Sequence, residues 1–539
     1  MLKCIRARCR ENWAKTVAPF STVWLKELGS LQDDDVLHAF LDLPTLGHST
    51  RYRESQALTD DQQYGEVKRD LKSRHLQMIA IGGIIGTGIF LSSGGSVASA
   101  GPLGALVSYT IFGTMIFFIV TSLGEMSAYL PLPGAFTTSG ARFVDPALGF
   151  GVGVFYAFQW IITVTIEVTA AGKILQYWWP HLPMWIPALI FIVNLVGITL
   201  LGVKAFGELE YWLSMIKVLT CFIFIIIGIL VDTGAVGGDF IGGRNWHIEG
   251  APIVGETAKE KTVNIFTTCV WAFFSFGGIE LIGITAGESS NPAKAVPKAI
   301  RQTFWRILPF YILSITVIGL ITLGRTPLCS APSLWKSTRP PRLLPSPRSS
   351  RWPILPGADQ AINAVLLTAV LSAGQSFFYA STRTLMAMGR EGKMPVIFGR
   401  VNGRGAPSLL TWMSISVIHL RFRAAFKAQG RSLYELPYVA PLFPYSCYIS
   451  IALALMIVFM QGYQSVTVVP FEAEGVVAVF VGAPVFFLTI IVWKVVHKTK
   501  LVPLLEVDLD SGRDIIVPSS KPSETPKTSI WKKVVHIVA

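Results

Sequence analysis

Apolar runs of roughly twenty residues recur along most of the chain, separated by shorter polar stretches. Ten qualify as membrane spans, near 76–99, 103–130, 150–176, 184–203, 210–231, 262–286, 305–323, 361–388, 443–462 and 475–496. A helix rises about 1.5 Å per residue, so about twenty residues cross the ~30 Å hydrocarbon layer. Lipid offers no partner to an open backbone group, so these runs are predicted to be helices. The fold class is an all-α polytopic membrane protein. The segments divide the chain into a tail 1–71, seven spans over 72–323, an atypical Arg/Pro/Ser-rich loop 324–360, further spans over 361–497, and a tail 498–539.

Two spans carry a pattern that a plain helix would avoid. The first holds Gly82, Gly83, Gly86 and Gly88 within the run Met78 to Phe90. Each glycine costs about 1 kcal/mol of helix stability against alanine. Two readings are open: close helix packing through Gly82 and Gly86, or a helix that breaks in mid-membrane and turns free backbone groups toward a small polar ligand. The sixth span repeats the anomaly, with Gly277 and Gly278 beside the acid Glu280. Breaks five spans apart are what an inverted five-plus-five repeat would produce.

Charge settles orientation. Lys294, Lys298, Arg301 and Arg306 follow the sixth span; Arg390, Lys393, Arg400 and Arg404 follow the eighth; Lys494, His497, Lys498 and Lys500 follow the last. A cytoplasmic N-terminus puts all of them inside, as the positive-inside rule requires. The net charge of +13, with only 15% of residues charged, thus reflects basic loops and not nucleic-acid binding. The six cysteines are scattered and suggest neither disulfides nor zinc.

Two stretches interrupt the pattern. Arg325 to Pro356 is basic, contains no acid and follows an odd-numbered span. It reads as a disordered proline-rich loop or, preferably, as sequence from outside the parent reading frame, such as a retained intron. Between Pro407 and Leu420 about thirteen apolar-leaning residues would reach only about 20 Å. Arg400 and Arg404 precede them and Arg421, Arg423, Lys427 and Arg431 follow. Two spans could keep both flanks inside and one cannot, so a hairpin that has lost most of its length is expected.

Ionisable groups within spans are functional candidates, because burying them costs several kcal/mol. They are Glu280, Glu125, Glu167 and Lys217. Lys217 either snorkels to the interface or places a charge inside the bundle, and Glu125 is as well suited to a structural role. Broken-helix N-termini suit a carboxylate, unwound carbonyls suit an ammonium, and an amino acid carries both. Nothing resembles a nucleophile–base set, a P-loop or a metal motif, so an enzyme is not expected.

Ordered motifs then point to one family. They include Ile84-Ile-Gly-Thr-Gly-Ile-Phe90, Ala100-Gly-Pro-Leu-Gly104, Phe274-Ser-Phe-Gly-Gly-Ile-Glu280, Gly287-Glu-Ser-Ser-Asn-Pro292, Ser381-Thr-Arg-Thr-Leu385 and Arg421-Phe-Arg423. The chain resembles the fungal amino-acid permeases, of the general and proline type, in the amino acid–polyamine–organocation superfamily. That resemblance implies twelve spans in a leucine-transporter-type inverted repeat, with the ninth and tenth reduced here. It implies amino-acid import across the plasma membrane by proton symport and alternating access, with both termini cytoplasmic and no cofactor. The alternatives are an amino-acid sensor with a permease fold or a non-functional truncated product. By analogy Gly86, Thr87 and Gly88 would hold the substrate carboxylate, and Phe274, Ser275, Phe276, Gly277 and Glu280 would line the rest of the site. Lys217, with Glu167 and Glu125, would carry proton coupling, and Ser381 and Thr382 would fall at the counterpart of a sodium site. The implied partners are amino acids, protons and the lipid bilayer.

Overall fold

The computed structural model describes residue 78 and residues 85–132, 134–236, 240–247, 252–289, 291–321, 358–393, 409–467 and 480–511. Gly82, Gly83, the Arg/Pro/Ser-rich loop and the N-terminal tail lie outside them. Within them the chain is almost wholly helical.

The first two expected spans form α1 (Thr87–Tyr129), which turns sharply at Gly101 and Pro102. A short amphipathic α2 (Ala135–Phe143) follows, then α3 (Pro146–Leu175), α4 (Trp185–Leu200) and α5 (Val203–Asp232). The sixth span is two helices, α6 (Ala258–Phe276) and α7 (Leu281–Ala286). Beyond it lie α8 (Pro292–Ile321), α9 (Ala358–Arg390), α10 (Leu409–Ala428), α11 (Tyr445–Thr467) and α12 (Gly482–His497). All ten expected spans thus have helical counterparts. Six helices are long and apolar enough to cross a membrane, and Trp185–Leu200, Pro309–Ile321 and Gly482–His497 are shorter apolar helices.

Three local expectations are corrected. Asn291 to Arg306, expected as a basic loop, is helical from Pro292 onward as the first turns of α8, because Pro292 starts a helix at its first position without wasting a donor. α2 was not expected; its small polar residues hide a face on which Phe136 and Phe143 are buried. The remnant after Pro407 is not a 20 Å stub. α10 has 20 residues, or about 30 Å, because it continues through the arginines that seemed to end it.

α1 is the central element and packs against α6, α8, α10 and α11, while α3 packs against α9, α12 and α4. α5 shows the polarity of a lipid-facing helix. Leu219, Phe222, Ile223, Ile226 and Ile229 are exposed, whereas Glu210, Ser214, Lys217 and Cys221 are buried. Steps of four, three and four residues put those last four on one face.

The C-terminal tail begins as part of the folded body. The Val502 N–H donates to Val144 O at 2.9 Å, Gln429 donates to the Val507 carbonyl at 2.7 Å, and Val507 and Leu509 are buried. Asp145 anchors the same end of the bundle. Its carboxylate caps α3 by accepting from the Ala147 N–H at 2.9 Å, accepts from Thr499 at 2.8 Å and pairs with Lys494. Burial alone would raise its pKa, but the Lys494 ammonium and the Ala147 and Thr499 donors outweigh it and hold it below the ordinary aspartate value. A depressed folded-state pKa contributes stability above the unfolded value, about pH 3.9, which is lost as pH falls through the folded value. Thermal unfolding of the detergent-solubilised chain is therefore expected to lose stability on acidification below about pH 4, and Asp145→Asn is expected to flatten that part of the profile.

Candidate transport site

The two glycine-rich anomalies lie side by side. α1 starts at Thr87 after an extended Gly86 (φ −107°, ψ −163°). α6 ends at Phe276, Gly277 is extended (φ −57°, ψ 138°), and the chain turns through Gly278 at φ +98°, a conformation that favours glycine. The helix resumes when Leu281 N–H bonds to Gly278 O at 3.2 Å and Gly283 N–H to Glu280 O at 2.9 Å. Gly88 clamps the two elements together. A Cβ there would lie 2.4 Å from the Ser275 Cα and 2.5 Å from the Phe274 carbonyl oxygen. Gly86, from which α1 starts, and Gly277, at which α6 stops, each lie two residues from this contact. Close packing falls on Gly88, whereas the packing reading through Gly82 and Gly86 involves Gly82, which lies outside the described residues.

Ser275 is the knot of that crossing. Its hydroxyl lies 2.8 Å from the Ser92 and Tyr109 hydroxyls, and its carbonyl accepts from Tyr311 at 2.6 Å. Phe276 stacks on Tyr311 with centroids 4.4 Å apart. Ser275 and Phe276 therefore face α1 and α8. Phe274 is only half-buried. Thr87 opens α1 beside Gly86.

The other side of the break is aromatic and acidic. The outermost ring carbon of Trp160 lies 3.5 Å from where a Gly277 Cβ would stand, and its ring stacks on Phe377 at 4.3 Å. Glu280 is buried and accepts from the Tyr156 hydroxyl at 3.2 Å. The Trp412 side chain and the backbone at Gly278 and Glu280 also interact with this carboxylate. A buried carboxylate beside unwound backbone is suited to an ammonium group. Tyr156, Trp160 and Phe377 were not singled out from sequence, since aromatics in an apolar span look like core.

A separate polar cluster surrounds Lys217. The residue does not snorkel; it is fully buried. Its Nζ lies 3.5 Å from Glu210 Oε1, which also accepts from Ser372 at 2.6 Å. Glu167, buried on α3, interacts electrostatically with Lys217. Sequence reasoning missed Glu210 because it lies at the very start of the expected fifth span. Ser381 and Thr382 are not at this cluster. Their hydroxyls donate to Phe378 O and Tyr379 O of their own helix, both at 2.9 Å, and nine or ten residues of helix separate them from Ser372 by roughly 14 Å.

Glu125 belongs to a third group. Arg423 donates to its Oε2 at 3.0 Å and also pairs with Oε1. His419 lies 3.2 Å from Oε1, and the Ala440 N–H donates to Oε2 at 2.6 Å. This bidentate pair ties α10 to the end of α1. A fourth pair, Glu288 with Arg383 at 2.7 Å, joins the segment after α7 to α9. No group of three or more His, Cys, Asp or Glu side chains that could hold a metal occurs among the described residues. An apolar cavity of about 410 Å³ lies at the other end of the bundle, lined by Leu103, Trp246, Pro252 and Leu320; it presents no acid to an ammonium.

Breaking a buried pair strands the partner charge and costs about 3–5 kcal/mol. Glu125→Gln is thus expected to lower the melting temperature of the purified chain strongly, whereas Thr382→Ala, which removes one intrahelical bond, is expected to lower it little. A Glu125→Gln chain of normal stability with an altered pH profile of amino-acid binding would instead assign Glu125 to proton handling.

Residues 75–408 and 408–506 match the family described as amino acid permease, and the match divides where α10 begins. The chain is 39% identical over 486 residues to a lysine-specific permease of Lactococcus lactis, covering 83% of this chain and 94% of that protein. It is 34% identical over 515 residues to a general amino-acid permease of Candida albicans, covering 88% and 86%. A solved structure of the Eremococcus coleocola manganese transporter is similar at TM-score 0.47 and 15% identity, covering 85% of this chain and 98% of that one. A family match over most of the chain, together with relatives more than 30% identical over four-fifths of it, establishes that this chain belongs to the amino acid permease family.

Proposed function

We propose that the chain is a secondary active transporter that imports amino acids across the plasma membrane by proton symport and alternating access, with both termini in the cytoplasm. The observation that carries this reading is the close approach at Gly88 of the start of α1 to the end of α6, with the buried carboxylate of Glu280 at the break that follows α6. The Gly86–Gly88 backbone receives the substrate carboxylate, and Glu280 with the carbonyls around Gly277 receives its ammonium. Phe274, Trp160 and Phe377 flank the side chain. Ser275 and Phe276 act from behind, by holding α6 against α1 and α8.

Lys217 is the proton carrier in this reading, with Glu167 as a neighbouring charge. A fully buried ammonium inside a span has no bulk water to hold its proton, so its charge depends on the groups around it. Relatives include lysine-specific, histidine and general permeases, so the substrate class proposed is amino acids as such.

One observation favours a second reading. Among the described residues a single α-helix, α10, stands between α9 and α11, where the family pattern leads one to expect two spans. A chain that binds amino acids without moving them, as a sensor or an incomplete permease, follows from that.

The two readings separate in proteoliposomes containing the full chain. Symport predicts that an inward proton gradient drives tritiated L-lysine or L-leucine above equilibrium, and that Lys217→Ala, although it strands Glu210 and lowers the melting temperature, reduces the accumulation ratio to about one in chain that is folded and still binds the amino acid. Accumulation that ignores the gradient would exclude symport, and binding without accumulation would favour the second reading.

A further inference from the structure

We propose that residues 500–511 form a releasable strap across one end of the bundle, which holds the candidate transport site closed on that side until it lifts. This rests on the transport reading, whose orientation places that end in the cytoplasm, and adds to it the element that governs inner opening.

The strap crosses between two helices that flank the site. α3 brings Tyr156 and Trp160 to the break after α6, and α10 brings Trp412, whose side chain interacts with Glu280. From Tyr156 back to Pro146, and from Trp412 on to Arg421, each helix runs about 14–15 Å to the same end of the bundle. There the segment is fastened to both. On the α2–α3 corner, the Val502 N–H donates to Val144 O at 2.9 Å, and Arg142 donates to Ser511 O at 2.6 Å and lies 3.6 Å from Asp508 Oδ2. At the end of α10, Gln429 donates to Leu504 O at 3.2 Å and Val507 O at 2.7 Å, and Arg431 pairs with Asp510. Arg421 donates to Phe143 O at 3.2 Å and to Val502 O, where corner, strap and α10 meet.

The kind of fastening distinguishes a strap from a fixed part. The segment has no helix or strand of its own, and Val507 and Leu509 are its buried side chains. Its ion pairs lie near the surface, with the Asp510 side chain 63% exposed, and such pairs hold weakly. The Glu125–Arg423 joint is buried on both partners, and a pair of that kind is costly to break. One end of the strap is anchored: the chain leaves α12 through a left-handed Lys498 (φ +50°), and Lys494 and Thr499 hold it to Asp145. Residues 500–511 can therefore lift as a flap without leaving the bundle. α2 and α10 also pack directly, Phe143 on Phe422 at 5.3 Å, so the strap reinforces a contact that slides when the inner side opens. While it is down, α3 and α10 are held together at this end, and an amino acid beside Glu280 has no way out between them.

The test uses the full chain carrying Val144→Cys and Val502→Cys, whose backbones are one hydrogen bond apart and within disulfide reach, in proteoliposomes. Oxidation ties the strap down and a reductant frees it. Binding of tritiated L-lysine or L-leucine is expected to be equal in the two forms, while exchange of the amino acid across the membrane falls below about one tenth on oxidation and recovers on reduction. Equal exchange across the membrane in the two forms overturns the strap and leaves the transport reading standing. Hydrogen–deuterium exchange of peptide 503–511 in the same preparations does not depend on transport. A strap that lifts exchanges at least about tenfold faster in the reduced form than in the oxidised form; equal rates show a fixed segment and overturn the proposal. If neither form moves either amino acid, the transport reading fails and hydrogen exchange alone decides the strap. Should the cysteine pair not cross-link, Arg142→Ala takes its place: hydrogen exchange of 503–511 is expected to rise about threefold or more over the parent chain, and an unchanged rate overturns the strap.

Discussion

The structure depends on one close approach: the backbone of α1 at Gly88 resting on the backbone of α6 at Phe274 and Ser275. Without a side chain at Gly88 the two broken helices meet at main-chain distance, and their free ends open toward the same space. Within a membrane such contacts draw on dispersion and buried hydrogen bonds more than on the hydrophobic effect, because lipid is as apolar as the side chains. That explains why the crossing is finished with hydroxyls. Ser92, Tyr109, Ser275 and Tyr311 satisfy one another and lock the contact.

Around that crossing the ionisable groups sort into clusters with different work. Glu280 lies beside the break with Tyr156 and Trp412 as its side-chain neighbours and no cation paired to it among the described residues, which suits a cationic ligand group. Glu125 is held by the cation Arg423, with His419 and the Ala440 N–H, which suits a joint. Lys217 and Glu210 lie between, buried and paired. The same residue types in the same kind of span thus differ by which partners each has.

Much of this was legible in the chain. Spans announced themselves by apolar length, and the break in the sixth span by glycines in a place where helices avoid them. Other features were not legible, for identifiable reasons. The arginines at 421 and 423 looked like the end of a helix, because partners such as the Phe143 carbonyl and Glu125 lie 278 and 298 residues away in sequence; α10 was consequently read too short. Glu210 looked like a boundary charge, although the spacing 210, 214, 217, 221 was a signal that could have placed it on one face with Lys217. Trp160 and Phe377 had no signal at all, since only the fold brings them to Gly277. Ser275 and Phe276, expected from the resemblance to line the site, turn their side chains toward α1 and α8.

The central claim is that an amino acid binds in the space between the two breaks. Electron cryo-microscopy of the full chain with saturating L-lysine, and separately with L-leucine, tests it most directly. The account predicts density for one amino acid between Gly86–Gly88 and Gly277–Glu280, with its ammonium at Glu280 and its carboxylate on the α1 backbone. Density confined to the apolar cavity at Trp246 and Pro252, with the space between the breaks closed, would contradict it.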